Sequence, residues 1–440
     1  GNSSREDPRC EGGSRIQGER QDEEKLPRVA LSLSGGGFRA TLFHLGVVRF
    51  LHEAGLLRLT SSICAVSGGS ILAADLARQW SEYTGSSDQF FAASRSVIDL
   101  CRNGIRERLL PRIALAPFVG GTTGLLLREY RKVFGKDDVS TLNQSAGSPL
   151  VYLLCSNLTA PEQLVAFHSR GLRIFSKRPD DCREIQTQEA TVCDAVATSS
   201  AFPLLFPPLS ISAKRLRVEN RELWGTSQLL SDGGVFDNLG NYAIRQLDRE
   251  ASHDLVIVSD ASAGVDWQNR GSLLHRRIHR VGSILCQQVR DYELAEIEKC
   301  KKSCLVSIDS FDNSSEVRLD DDVQRYVPKI RTDLDRFTRD EIVAIVQHGY
   351  VAARQSVKKF LDSDPTRFRE VVGRLHFPDQ TTALWNPLSD DRRSTQGLPR
   401  KTRLRKGSKR RLALFSFRDR AVVGWGIIAC GLSAAYLWLA

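Results

Sequence analysis

The chain has 440 residues, a formal charge of +10, 41% hydrophobic residues and 26% charged residues. Those proportions exclude a collagen-like or disordered chain and leave room for one large α/β domain or two ordinary ones. The excess charge is local: the run 400–411 (RKTRLRKGSKRR) carries eight basic side chains and no acid, which suits an attachment patch and excludes a nucleic-acid-binding face spread over the domain.

Residues 1–27 are polar and charged throughout, so they read as a disordered tail without a secretory signal. No methionine occurs anywhere, and the start therefore reads as processed or edited. Gly1 to Ser4 approach a myristoylation signal, but Arg5 stands where Ser or Thr is required. Val29 to Leu33 form a short apolar run ending in glycines, the pattern of a buried parallel strand. Residues 39–54 then give a broad apolar helix face closed by Gly55. Ile63 to Val66 repeat the strand, and Ser70 to Trp80 repeat the helix. Two strand–glycine turn–helix units in succession predict an α/β fold with a parallel sheet between helices.

Residues 85–145 read as helices with breaks, at the edge of a groove or as a cap. Leu150–Cys155 and Leu255–Ser259 are further strand candidates. The apolar SSAFPLLFPPL at 199–209, with its three prolines, suits a rigid groove wall. Residues 270–300 and 316–362 read as helices. Residues 28–385 are therefore expected as one domain, and 386–420 as a polar and then basic linker. The charge-free stretch 421–440 (AVVGWGIIACGLSAAYLWLA) spans roughly 30 Å as a helix, a bilayer core. Tyr436 and Trp438 suit an interfacial belt, and the preceding basic run keeps the globular part on the cytosolic side of a single-pass anchor. A buried terminal helix is the alternative.

Ten cysteines are scattered without a CxxC pair, and Cys64, Cys155 and Cys430 sit in apolar runs. Reduced thiols in a cytosol-like compartment are expected. Cys300 and Cys304 lie one helical turn apart, but no histidine pair accompanies them, so no metal site is expected.

Three glycine-rich segments carry the chemistry: SGGGFRAT at 34–41, VSGGS at 66–70 and DGGVFDNLG at 232–240. Ser67 follows an apolar strand and precedes a helix, where a sharp turn would force its hydroxyl outward. Alone, such a string is more often an ordinary turn. Gly35, Gly36 and Gly37 leave the first strand and can bring backbone amides close to a ligand, as an oxyanion hole requires. They lack both the Gly-Lys-Ser/Thr ending of a P-loop and the G-x-G-x-x-G spacing of a dinucleotide site. Arg39 has three readings: a ligand for a lipid phosphate, a brace for the loop, or a surface ion pair. Asp232 precedes two glycines, in a turn that either aims a carboxylate into a cleft or serves only as a turn. Asp237 is a second carboxylate, with neighbours that suggest a loop role. His253, His275, His279, His348 and His376 follow Asp232, so a Ser–Asp–His order is available, although none sits in a glycine-bounded loop after a strand.

Together with FHLGVVRFLHEAGLL and SSAFPLLFPP, these motifs resemble the bacterial-type patatin-like phospholipases over residues 28–260. The resemblance implies a three-layer α/β/α fold with a mostly parallel central sheet. It further implies a Ser67–Asp232 dyad without histidine, an oxyanion hole at Gly35–Gly37, and no metal or cofactor. Its substrates would be membrane phospholipids or lysophospholipids. A general esterase or triacylglycerol lipase, or a silent membrane-anchored binding protein, are the alternatives. Two positions depart from the pattern: Ser34 stands where patatin has an acidic residue, and Ala65 replaces the elbow's first glycine.

Overall fold

The computed structural model describes residues 26–109, 121–178, 182–203, 206–218, 221–262, 274–311, 319–377 and 404. The basic run (apart from residue 404) and the apolar stretch 421–440 lie outside them. Among the described residues no helix is long and apolar enough to cross a membrane.

Among the described residues ten strands build one sheet: β1 (Val29–Leu33), β2 (Thr60–Val66), β3 (Leu150–Asn157), β4 (Gln163–His168), β5 (Gly171–Ser176), β6 (Arg183–Gln186), β7 (Leu209–Ser212), β8 (Ser227–Asp232), β9 (Leu255–Asp260) and β10 (Ser303–Ser307). Their order is β10-β9-β1-β2-β3-β4-β5-β6, with β8 also paired to β3 and β7 to β8. The strands from β10 to β3 are parallel. Beyond β3 every pairing is antiparallel. The expectation of a mostly parallel sheet therefore holds for only half of it. The physical reason is loop length: β4 and β5 are joined through Ser169 and Arg170 alone, too short for the helical crossover that parallel neighbours need.

Alternation along the parallel strands divides the core into two layers. Val29, Leu31, Leu33, Ile63, Ala65, Val151 and Leu153 point to one face. Ala30, Cys64, Val66, Tyr152 and Leu154 point to the other. Such strands bury both faces and so read as continuous apolar runs. The first face is covered by α1 (Gly37–Glu53), α2 (Gly68–Arg78) and the long helix Arg339–Ser363. The second is covered by the helix Asn241–Glu250 and the carboxyl-terminal half of Leu274–Lys299.

Helix α1 is buried on nearly all sides from Phe38 to Leu51, not on one broad face. It lies between the sheet and helix Arg339–Ser363, and glycines set their spacing. A methyl on Gly46 would overlap the Val346 carbonyl, and one on Gly349 the Phe43 carbonyl. Residues after 260, which the motifs do not reach, thus supply a sheet strand and half of the packing around α1.

Candidate active site

Sheet register explains how Ser67 and Asp232 meet. Strand β2 pairs with β3 as far as Val66 opposite Leu154. Strand β8, running the other way, takes up the same side of β3 from Cys155 opposite Asp232 to Asn157 opposite Leu230. The two strands abut end to end, so the residue leaving β2 faces the last residue of β8.

Ser67 leaves β2 at φ 51° and ψ −115° and is the residue immediately before α2. This conformation costs a residue with a Cβ about 1–3 kcal/mol and is the turn of a nucleophile elbow, although Ser67 itself is only 9% exposed. Surrounding groups hold it in place. Its N–H donates to Ser199 Oγ at 3.0 Å, and Ser199 Oγ donates in turn to Leu154 O at 2.6 Å. Ser70 Oγ, 2.8 Å away, must then be the donor to Ser199. Only glycine fits after the turn: a methyl on Gly68 would overlap the Gly37 carbonyl, and one on Gly69 the Leu33 carbonyl. Ala65, in place of a glycine, sits inside β2 and contributes a fully buried methyl to the core.

Asp232 is buried, its carboxylate accepting from Gly234 N–H at 2.8 Å. Burial pushes its pKa up to about 6, against the lowering effect of the Ser67 side chain and the Gly234 N–H. It is therefore ionised at neutral pH yet basic enough to accept a proton. The backbone of Asp232 is fixed by its N–H to Ala201 O, 3.1 Å, and Ser231 Oγ donates to the same carbonyl at 2.8 Å. The 199–201 segment thus steadies both members of the pair.

The glycine loop sits against Ser67: a methyl on Gly35 would stand 3.4 Å from Ser67 Cβ and 2.6 Å from Asn238 Oδ1. Gly35 N–H already donates to Asn238 O at 3.2 Å, which removes it from the proposed donors. Gly36 and Gly37, at φ 137° and 56°, have N–H groups without a hydrogen-bond partner among the described residues, as does Gly68 at the start of α2. The loop amides without a partner among the described residues are therefore those of Gly36, Gly37 and Gly68. The sequence pattern named the loop but could not show which amide is spoken for.

Arg39 is corrected to a brace. It is 4% exposed, with Nη1 donating to Pro328 O and Ile330 O, each at 2.6 Å, and Nη2 to Ala261 O at 2.9 Å. Burial lowers its pKa to about 10, which leaves it charged at neutral pH but walled off from any lipid phosphate. Ser34, at the position that is acidic in patatin, accepts from Ala261 N–H at 2.8 Å through its hydroxyl. Asp237 caps the helix after the motif, accepting from Tyr242 and Ala243 N–H at 3.2 and 3.0 Å.

Among the described residues no histidine bonds Ser67 or Asp232. His44 donates from Nε2 to Ser34 O at 2.9 Å and accepts from Ser259 Oγ at 2.7 Å, and burial pushes its pKa down to about 4. His348 reaches Ile308 O, and His253 lies between Asp248 and Ser62. The residues that sequence reasoning missed are Ser199, the Asn238 carbonyl and the segment 327–335. Ser199 and Asn238 lay inside quoted motifs, but their roles are backbone contacts that no side-chain pattern announces.

A Ser on a strained strand–helix turn, a buried carboxylate against it and a glycine loop with unpartnered amides define a patatin-type site. Residues 31–241 match the family model of Patatin-like phospholipase, and the chain carries a domain of that family. Among solved structures it is similar to human GIVD cytosolic phospholipase A2 (TM-score 0.50, 13% identity, 78% of this chain and 61% of that one). It is also similar to that human enzyme in complex with methyl gamma-linolenyl fluorophosphonate and terbium chloride (TM-score 0.46, 14% identity, 80% and 61%). VipD from Legionella pneumophila is matched at TM-score 0.31 and 13% identity over 77% of this chain and 67% of that one. The chain thus spans less than two thirds of the human phospholipase chains. No curated protein sequence matches it.

Proposed function

We propose that the protein is a serine acyl hydrolase that cleaves fatty-acyl ester bonds of membrane phospholipids or lysophospholipids. The observation that carries this reading is the Ser67 turn, at φ 51°, which the pairing of β2 and β8 along β3 sets against the buried Asp232. Ser67 Oγ attacks the ester carbonyl while Asp232 takes its proton. The N–H groups of Gly36, Gly37 and Gly68 receive the negative charge on the carbonyl oxygen, each donor worth about 3–4 kcal/mol. Collapse of the tetrahedral intermediate expels the lipid alcohol, which takes the proton from Asp232, and leaves an acyl-Ser67 ester. Asp232 then deprotonates water, which releases the fatty acid and regenerates Ser67. No metal or cofactor enters these steps.

The charge-free stretch 421–440 would tether the domain as a single-pass anchor with the site on the cytosolic side, and the basic run would add attraction to anionic headgroups. The test is incubation of wild-type and Ser67→Ala protein with mixed phospholipid vesicles, with released fatty acid measured by mass spectrometry and Ser67 labelled by a fluorophosphonate. Release and labelling by wild type alone support the reading. Equal release by both proteins, or no labelling of Ser67, overturns it.

A further inference from the structure

Helix Leu274–Lys299 has two unlike halves. Its carboxyl-terminal half is bound to the site: Arg290 pairs with Asp260 at 2.6 Å, and the Glu293 carboxylate accepts from Leu239 N–H, in the loop after Asp232. The helix also touches the Gly233–Val235 turn next to Asp232. From 280 to 289 none of its residues is buried. Val281, Ile284 and Leu285, at i, i+3 and i+4, are 56%, 44% and 61% exposed on one face. Val235, in the turn that the helix touches, is exposed as well.

Charge follows the same division. Residues 274–289 contain Arg276, Arg277 and Arg280 and no acidic residue, and acids begin only at Asp291, beyond the ion-paired Arg290. An exposed apolar face on a basic helix is the pattern of a segment lying in the headgroup layer of an anionic bilayer. Its place fits, because the same helix touches the Gly233–Val235 turn that follows Asp232.

We propose that the Val281–Leu285 face docks on a bilayer surface bearing anionic phospholipid, which sets the Ser67–Asp232 site at the headgroup level. This deepens the acyl-hydrolase reading and rests on it for its purpose, but its test needs no catalysis. Leu285→Trp is made in full-length Ser67→Ala protein and mixed with vesicles of phosphatidylcholine and phosphatidylserine with brominated acyl chains. The Ser67→Ala parent supplies the baseline for the native tryptophans. The added tryptophan is expected to shift to the blue and lose emission with these vesicles, and much less with vesicles of brominated phosphatidylcholine alone. Equal quenching by the neutral vesicles overturns the assignment to an anionic surface. No quenching by either overturns the docking. So does an added emission that is already blue-shifted without lipid and indifferent to it, because the face is then covered by the protein's own chain or a second copy. Quenching as expected alongside a wild type that releases no fatty acid would sink the hydrolase reading and leave the docking face standing.

Discussion

The carboxylate proposed as the base, Asp232, is expected to weaken the fold that holds it. Burial moves the Asp232 pKa from 3.8 to about 6, so the folded protein holds that proton more tightly than the unfolded chain. Between pH 3.8 and about 6 the native state therefore binds more protons, and stability falls as pH rises through this window. The shift is about two units, and at about 1.36 kcal/mol each the loss is about 3 kcal/mol, complete above pH 7. Asp232→Asn removes the titration and keeps a carbonyl oxygen for Gly234 N–H. Its stability relative to wild type should rise by about 3 kcal/mol between pH 4 and pH 8. Asp75 and Asp335, also pushed up to about 6 by burial, titrate in both proteins and cancel in the difference. Urea denaturation of the two proteins across that range reads the difference directly. Wild-type ester hydrolysis should in parallel rise with pH through about 6 and then level, while Asp232→Asn stays inactive throughout. A stability gap independent of pH, or a wild-type rate flat from pH 5 to pH 8, would refute the reasoning.

Ser199→Ala leaves the buried Ser67 N–H unpaired, at a cost of about 1–3 kcal/mol. Because Ser199 positions the nucleophile without touching substrate, kcat should fall about tenfold or more with KM unchanged, and Ser199→Thr should restore most of it. An equal change in KM and kcat would count against a positioning role. Arg39→Lys loses part of a three-carbonyl grip and should cost about 1–3 kcal/mol in urea denaturation, with headgroup preference on mixed vesicles unchanged. A changed headgroup preference at unchanged stability would return Arg39 to the substrate.

How much of this was legible in the sequence depends on the kind of signal. Strand β1 was read at its full length because four apolar residues interrupted only by Ser32 lead into glycines, and β2, β3 and β9 were read in part from their own apolar runs. The antiparallel β4, β5 and β6 passed unread. Their residues mix Arg, Gln and Glu with apolar ones, as strands near a sheet edge do, and the turn signals between them are weak. The residues proposed as the dyad were picked out by glycine patterns, since an elbow demands small neighbours. Their meeting was not, because it depends on β8 taking the stretch of β3 that β2 leaves. Arg39 was left among three readings because a charged residue beside a loop reads the same whether its acceptors are phosphate oxygens or buried carbonyls.

Those carbonyls belong to a segment far beyond the family match, and this bears on where the working unit ends. Pro328 and Ile330 hold Arg39, Asp333 O accepts from Phe38 N–H at 3.3 Å, and a methyl on Gly37 would overlap the Thr332 carbonyl. The start of α1, where the Gly36 and Gly37 amides stand free, is thus pressed into shape by residues 328–333. That segment is pinned in turn by Arg106 to Asp333 at 2.9 Å and by Arg331 to Asp335 and Glu341 at 2.7 and 2.6 Å. Glu341 lies in the first turn of the helix that packs along α1. Residues 31–241 alone would leave the apolar far side of α1 in water and its glycine loop without a backing. The family match covers the segments that carry the proposed site, and the packing that holds the start of α1 in place is supplied by residues beyond it.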